Sequence, residues 1–294
     1  MESPWPEAPV RPRKGLGQHF LVNRGVLRQI LDAAEVTMDD IVIEVGPGTG
    51  VLTRELSNRA GVLIAIELDR DLAARLRAEL GDRPGVHILQ GDILHWPPAA
   101  LLTESTGARL EGGPRRGQGQ SYKVVANLPY YITAPVLRHF LAGEPAPSRM
   151  VAMVQYEVAR SLVAGPGEMS LLAVAVQFYG KPEIVASVSP GSFRPPPKVR
   201  SAILRIDTYT RPPVNVSNHR LFFDTVRAGF SSRRKQLHNA LAQGLAISAA
   251  KAALFLHQAD IDPQRRAQTL TLEEWARLTR VRKALLDAGR PTTC

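Results

Sequence analysis

Ile41-Val-Ile-Glu-Val-Gly-Pro-Gly-Thr-Gly50 decides how the chain folds. An almost unbroken aliphatic run reads as a strand covered on both faces, the signature of a parallel sheet. Gly46, Gly48 and Gly50 follow directly, where a backbone without Cβ atoms turns tightly and comes close to a ligand. A helix from about Val51 to Asn58 is predicted next. Val62-Leu-Ile-Ala-Ile66 repeats the strand and ends in Glu67-Leu68-Asp69, and Leu72, Ala73, Leu76 and Leu80 recur at helical spacing behind it. Val86-His-Ile-Leu89 is a third strand, running into Gly91-Asp92. Strand and helix alternating in this way predict a parallel sheet with right-handed crossovers.

Outward from this core, Asn23 is positioned to cap a helix carrying Val26, Leu27, Ile30, Leu31 and Ala34. Upstream lies a basic, glycine-containing segment, Arg13 to Leu21, and residues 1–12 hold four prolines and read as a flexible tail. Downstream, residues 103–121 are polar, glycine-rich and basic and read as a surface loop. Tyr122-Lys-Val-Val-Ala126 is another strand, ending in Asn127-Leu-Pro-Tyr130. Alone, those four residues also read as an ordinary turn. A helix through Pro135 to Phe140, a strand over 150–154 and a helix over 157–163 follow. Residues 171–178 are apolar throughout, so their period does not separate helix from strand. Strands at 183–188 and 199–206 predict an antiparallel edge. Arg211-Pro-Pro213 reads as a linker, so residues 13–210 form one domain and 211–294 a smaller all-helical one. Its helices are predicted at 221–230, 233–245, 251–256 and 272–286, the last capped by Thr271.

The protein has 37 Lys and Arg against 27 Asp and Glu, a formal charge of +10 and a pI near 10.2. Residues 211–294 contain 14 basic and 6 acidic side chains, so eight of the ten excess charges fall there. A polyanionic partner is implied, and Arg233, Arg234 and Lys235, the densest cluster, are the candidate phosphate contacts. No apolar run reaches the ~18 residues of a membrane span, which makes nucleic acid the better partner. The single cysteine, Cys294, excludes an internal disulfide framework and a cysteine-rich zinc site. No metal is expected, the N-terminus lacks a secretory pattern, and a cytoplasmic monomer is anticipated.

Three successive strand ends carry a glycine loop, Glu67 and Asp92. A carboxylate 19 residues after Gly48 suits a ribose diol, and Asp92 suits an adenine amine. Val51 stands where a dinucleotide fingerprint has glycine, which disfavours a nicotinamide cofactor and its oxidoreductase chemistry. The ligand so described is an adenosine without a pyrophosphate, such as S-adenosyl-L-methionine.

Taken together, Gly17-Gln-His-Phe-Leu21, Glu44-Val-Gly-Pro-Gly-Thr-Gly50, Ile66-Glu-Leu-Asp69, Gly91-Asp92, Asn127-Leu-Pro-Tyr130 and Phe193-Arg-Pro-Pro-Pro-Lys-Val199 resemble the ribosomal RNA adenine dimethyltransferases over residues 11–285. Phe230-Ser-Ser-Arg-Arg-Lys-Gln-Leu237 and Asp262-Pro-Gln-Arg-Arg-Ala267 are similar to the small-subunit, kasugamycin-sensitivity branch. The resemblance implies an α/β, Rossmann-like class I methyltransferase sheet with the helical C-terminal domain. It also implies dimethylation of two adjacent adenosines in a hairpin near the 3′ end of small-subunit rRNA, on an immature small subunit. Gln18, His19, Leu21, Gly46, Gly48, Glu67, Leu68, Asp92, Ile93 and Asn127 are then the cofactor-binding residues. Many family members have Asn where His19 stands.

The adenine N6 lone pair is delocalised into the ring, and its proton becomes acidic only after methyl transfer. A strong base is therefore unnecessary. Two acceptors that fix the N–H bonds and favour a pyramidal nitrogen are needed instead. The Asn127 side-chain carbonyl and the Pro129 backbone carbonyl are the expected pair. Tyr130 is expected to stack on the extruded base, and the resemblance puts Phe193 on its other face. The alternatives are a large-subunit, macrolide-resistance methylase and a non-catalytic assembly factor on the same fold.

Overall fold

A computed structural model describes residues 13, 17–106 and 121–288. The expected N-terminal tail and most of the 103–121 loop lie outside these residues, although residues up to Thr106 continue a helix that begins at Pro98. The described chain divides into two compact units. One holds the residues up to Arg160 together with Tyr179–Arg211, and the other holds Ser161–Phe178 with the residues from Pro212 onward.

The first unit is built on a seven-stranded sheet. Its strands are β2 (Ile41–Val45), β3 (Val62–Glu67), β4 (Val86–Gln90), β5 (Tyr122–Asn127), β6 (Arg149–Gln155), β7 (Gly180–Val188) and β9 (Ser201–Thr208), and β1 (Phe20–Leu21) pairs separately with β8 (Phe193–Arg194). The order across the large sheet is β4-β3-β2-β5-β6-β9-β7. The first five strands run parallel, and β9 is antiparallel to both β6 and β7. In β2, β3, β5 and β6 nearly every residue is buried, as the unalternating sequence requires.

Helices α1 (Arg24–Ala34), α2 (Val51–Leu56), α3 (Arg70–Leu80), α4 (Pro98–Thr106) and α5 (Thr133–Leu141) accompany the strands. Asn23 caps α1 by accepting from the Gly25 and Val26 amides at 2.8 and 3.2 Å. Asp69 caps α3 in the same way. The strand order reverses between β2 and β5, the place where open α/β sheets bind ligands beyond their carboxyl ends. The glycine loop leaves β2 there, and Asn127 closes β5.

The second unit is helical. After α6 (Tyr156–Val163) it contains α7 (Leu171–Tyr179), α8 (His219–Gly229), α9 (Leu237–Leu245), α10 (Ala249–Gln258) and α11 (Leu272–Ala288). The apolar run whose period was ambiguous is therefore a helix. Phe178 stacks on Phe222, with ring centroids 4.7 Å apart, and this draws residues 161–178 into the C-terminal unit rather than the domain predicted over 13–210. Thr271 and Glu274 form a reciprocal capping box at the start of α11. The helix predicted from Arg233 begins only at Leu237, because Ser231–Gln236 form a turn.

Trp275 is fully buried in this unit. A Cβ added at Gly229 would lie 2.3 Å from its ring. Overpacking of this kind costs about 1–3 kcal/mol. Gly229→Ala is expected to lower the thermal unfolding midpoint of the helical unit by several degrees, followed by calorimetry. Conversely, an unchanged midpoint would mean that the Trp275 pocket yields freely.

Candidate active site

Glu67 organises the cofactor side of the cleft. It ends β3, is buried, and accepts the Gly48 amide on Oε2 at 2.9 Å and the Asp69 amide on Oε1 at 2.8 Å. Burial pushes its pKa up, while the two backbone amides work in the opposite direction. Each carboxylate oxygen keeps a further lone pair, enough for a vicinal diol. The glycine loop packs against the same residue. Gly46 has φ +67°, and a Cβ added there meets no atom within 4 Å, so a side chain would project into open cleft. Gly48 has φ +58°, and its Cβ would press on the Phe20 ring at 3.2 Å. Position 48 must therefore be glycine on both conformational and steric grounds.

Asp92 follows β4 and uses Oδ1 to accept the Leu94 amide at 2.9 Å. The ring of contacts around the opening of the cleft is equally specific. Gln18 donates to Asp69 at 3.4 Å, and its own carbonyl accepts the Arg13 amide at 2.8 Å. Arg13 also forms an ion pair with Asp69 at 3.2 Å. The glycine loop, the strand-end acids Glu67 and Asp92, and Gln18 line a cavity of about 250 Å³. Every residue named from the sequence for the cofactor or for the chemistry lines it: Gln18, His19, Leu21, Gly46, Gly48, Glu67, Leu68, Asp92, Ile93, Asn127, Pro129, Tyr130 and Phe193.

At the other wall, Asn127 Nδ2 donates to the His19 carbonyl at 3.1 Å. The amide is thereby oriented, and Oδ1 is left as an acceptor. His19 contributes its backbone to that bond, while its ring Nδ1 lies 2.8 Å from the Pro195 carbonyl and its face stacks on Tyr130. The Tyr130 hydroxyl is 2.7 Å from Ser201 Oγ. Phe193 is only 1% exposed and is paired with Leu21 across the small β1–β8 sheet, so it forms a wall rather than a projecting ring.

The Pro129 carbonyl, expected as the second acceptor, receives the Ile132 amide at 3.1 Å within a 3₁₀ turn over Tyr130–Ile132. The neighbouring Leu128 carbonyl accepts no hydrogen bond among the described residues, and Leu128 lines the cavity. The Leu128 carbonyl is therefore the less committed of the two acceptors that face this part of the cleft. Proline's part is to fix the backbone that presents that carbonyl. An apolar residue carries no side-chain signal for a backbone role, which is why the sequence directed attention to the proline.

Two further residues escaped the sequence reading. Tyr131 lines the mouth of the cavity. Glu44, inside the glycine motif, is 1% exposed, and its Oε2 makes no hydrogen bond among the described residues. Burial pushes its pKa up to about 8, and the nearby Glu67 carboxylate adds to the shift, against smaller opposing effects of Thr53 and Arg54. Its neutral form is therefore the folded form at neutral pH. Arg233, Arg234 and Lys235 belong to the helical unit instead, exposed on the turn between α8 and α9, with Lys235 donating to Gln243 at 3.2 Å.

Sheet order, glycine loop and strand-end acids define a Rossmann-like class I methyltransferase. The family model described as ribosomal RNA adenine dimethylase matches residues 10–282, and the chain belongs to that family. It is 48% identical to ribosomal RNA small subunit methyltransferase A of Dehalococcoides mccartyi over 92% of this chain and 88% of that protein. It is 43% identical to the protein of the same name from Moorella thermoacetica, over 92% of each. Among solved structures, a dimethyladenosine transferase from Plasmodium falciparum is 25% identical with a TM-score of 0.69, covering 88% of this chain and 96% of that one. The 23S rRNA methyltransferase ErmE is 26% identical with a TM-score of 0.66, covering 89% and 98%.

The Glu44 carboxyl has a direct consequence for stability. In the unfolded chain it ionises near 4.5, and in the folded protein near 8. Its contribution is full below pH 4.5 and falls between these values by up to about 1.4 kcal/mol per pH unit. Glu44→Gln should therefore raise the unfolding midpoint relative to wild type at pH 8–9 and change it little at pH 5, as followed by thermal denaturation across pH. A gain of equal size at both pH values would contradict a buried neutral carboxyl.

Proposed function

We propose that the protein uses S-adenosyl-L-methionine to methylate adenine N6 twice in small-subunit rRNA, at two adjacent adenosines of a hairpin near the 3′ end. The observation that carries this reading is the Asn127 amide. Its nitrogen is committed to His19, and its oxygen remains an acceptor on the wall of a cleft that fits an adenosine-bearing cofactor. The family supports rRNA as the substrate. Close similarity to proteins named for the small subunit, at 48% identity against 26% for the 23S enzyme, supports the choice of subunit.

The cofactor supplies an electrophilic methyl on a sulfonium. Gly46, Gly48, Glu67, Leu68, Asp92 and Ile93 would hold its adenosine, with Gln18, His19 and Leu21 closing the N-terminal side. On the substrate side, Asn127 Oδ1 and the Leu128 carbonyl accept the two N6–H bonds, which draws the nitrogen lone pair out of conjugation. Both acceptors are neutral and remain so throughout. No side chain need remove a proton before transfer, because the ammonium formed is acidic enough to lose it to water. After the first transfer one N–H remains, and a single acceptor suffices to orient it. Tyr130 stacks on the extruded base, and the Phe193 wall limits its depth. Extrusion is least costly for a base in a hairpin loop.

The helical unit is the RNA-docking element in this reading, with Arg233, Arg234 and Lys235 on phosphates. Among the described residues no single helix is long and apolar enough to cross a membrane. A monomer acting on the immature subunit in the cytoplasm, without a metal, completes the proposal.

Asn127→Ala is expected to reduce methyl transfer by roughly 10²–10³-fold or more while leaving retention of the subunit nearly intact. Wild-type single-turnover rates from this variant would refute the acceptor role. Changing Arg233, Arg234 and Lys235 together to Gln should reduce the slope of log affinity against log salt by about 2–3. A slope equal to that of the wild type would return the cluster to an ordinary solvated face.

A further inference from the structure

Tyr131 is the only exposed aromatic among the described residues, with 57% of its surface accessible. A solitary exposed ring is unremarkable on most of a protein surface. This one lines the mouth of the catalytic cavity, directly after the Asn127-Leu-Pro-Tyr130 loop. Its neighbour Tyr130 is held by Ser201 and by the His19 ring. Tyr131 has no counterpart to either contact: no hydrogen bond, ion pair or ring partner fixes it among the described residues.

What does hold the ring is backbone. A Cβ built on Gly17 would lie 3.5 Å from Tyr131 Cδ1 and Cε1 and 4.0 Å from Pro129 Cβ. The ring therefore rests on glycine, a residue that offers a flat seat, while its remaining surface is open. Gly17 has φ +58°, so the seat itself favours glycine.

Extruding an adenine breaks two stacks, its own and that of the base left behind. The first is replaced inside the cavity. The second needs a surface at the rim, on the side from which the strand enters. We propose that Tyr131 is a stacking platform for the nucleotide next to the target, a positioning residue that offsets the lost neighbour stack. This rests on the adenine-methylation reading above. It also gives adjacency a purpose: with two consecutive adenosines, whichever one enters the cavity leaves a purine for the platform.

The test is a two-by-two cycle on small-subunit particles reconstituted with transcribed rRNA, wild type or with the adenosine beside the scored target replaced by uridine. Tyr131→Ala should raise KM for the particle by roughly 5- to 100-fold with kcat and cofactor affinity near wild type. Tyr131→Phe should behave like wild type, because the platform uses the ring and not the hydroxyl. The uridine particle should penalise the wild-type enzyme and add little to the Tyr131→Ala defect. Penalties that multiply independently, an unchanged KM, or a Tyr131→Phe variant as impaired as Tyr131→Ala would each overturn the platform. If the wild type methylates neither particle, the underlying reading falls and the platform with it.

Discussion

One hydrogen bond holds the catalytic geometry together: Asn127 Nδ2 to the His19 carbonyl, across 108 residues of sequence. Alone it is worth only about 1 kcal/mol. Its importance lies in what it decides. An asparagine amide has a donor end and an acceptor end, and committing the donor leaves the acceptor open to the cleft, where the proposed function uses it. His19 directly precedes β1 of the small β1–β8 sheet, and its ring Nδ1 lies 2.8 Å from the Pro195 carbonyl, so the bond ties β5 to the segment that enters that sheet. The acceptor is thereby placed before any substrate arrives, and preorganisation of this kind is where electrostatic catalysis draws its strength.

The cofactor wall uses the complementary arrangement. Glu67 accepts two backbone amides from loops on either side of it, so one carboxylate fixes the glycine turn and the start of α3 together. Burial raises its pKa, and those amides oppose that shift. Glu44, one strand away and without such partners, is instead kept neutral by burial. Burial raises the pKa of both glutamates, and only at Glu67 do backbone amides oppose it. The basic excess belongs to the other unit, where Arg233 and Arg234 stand exposed. Chemistry and charge are assigned to different units of the chain.

Much of this is legible in the amino-acid order. Unalternating aliphatic runs placed the parallel strands within a residue or two, and Asn23 and Thr271 mark helix starts because a short polar side chain is needed there. Each cofactor residue read from strand ends and motifs lines the cavity. The parts that escaped share a physical reason: they depend on contacts between distant segments. Phe178 joins the helical unit through Phe222, which no local period reveals. Arg233 to Gln236 have helix-forming side chains yet form a turn, since the α9 amides at Leu237 and His238 donate to Arg265 and Pro263. That the Pro129 carbonyl accepts an amide while the Leu128 carbonyl does not is a matter of which carbonyl a 3₁₀ turn consumes, and side-chain chemistry is silent on that.

The central claim is that this cleft delivers methyl groups to adenine N6 of small-subunit rRNA. Its most direct test is to incubate the protein with labelled S-adenosylmethionine and undermethylated small and large ribosomal subunits, then map the labelled nucleotides by mass spectrometry. The account predicts N6,N6-dimethyladenosine at two adjacent positions in a hairpin near the 3′ end of the small-subunit rRNA, and none in the large subunit. Label confined to the large subunit, or to an atom other than N6, would contradict it.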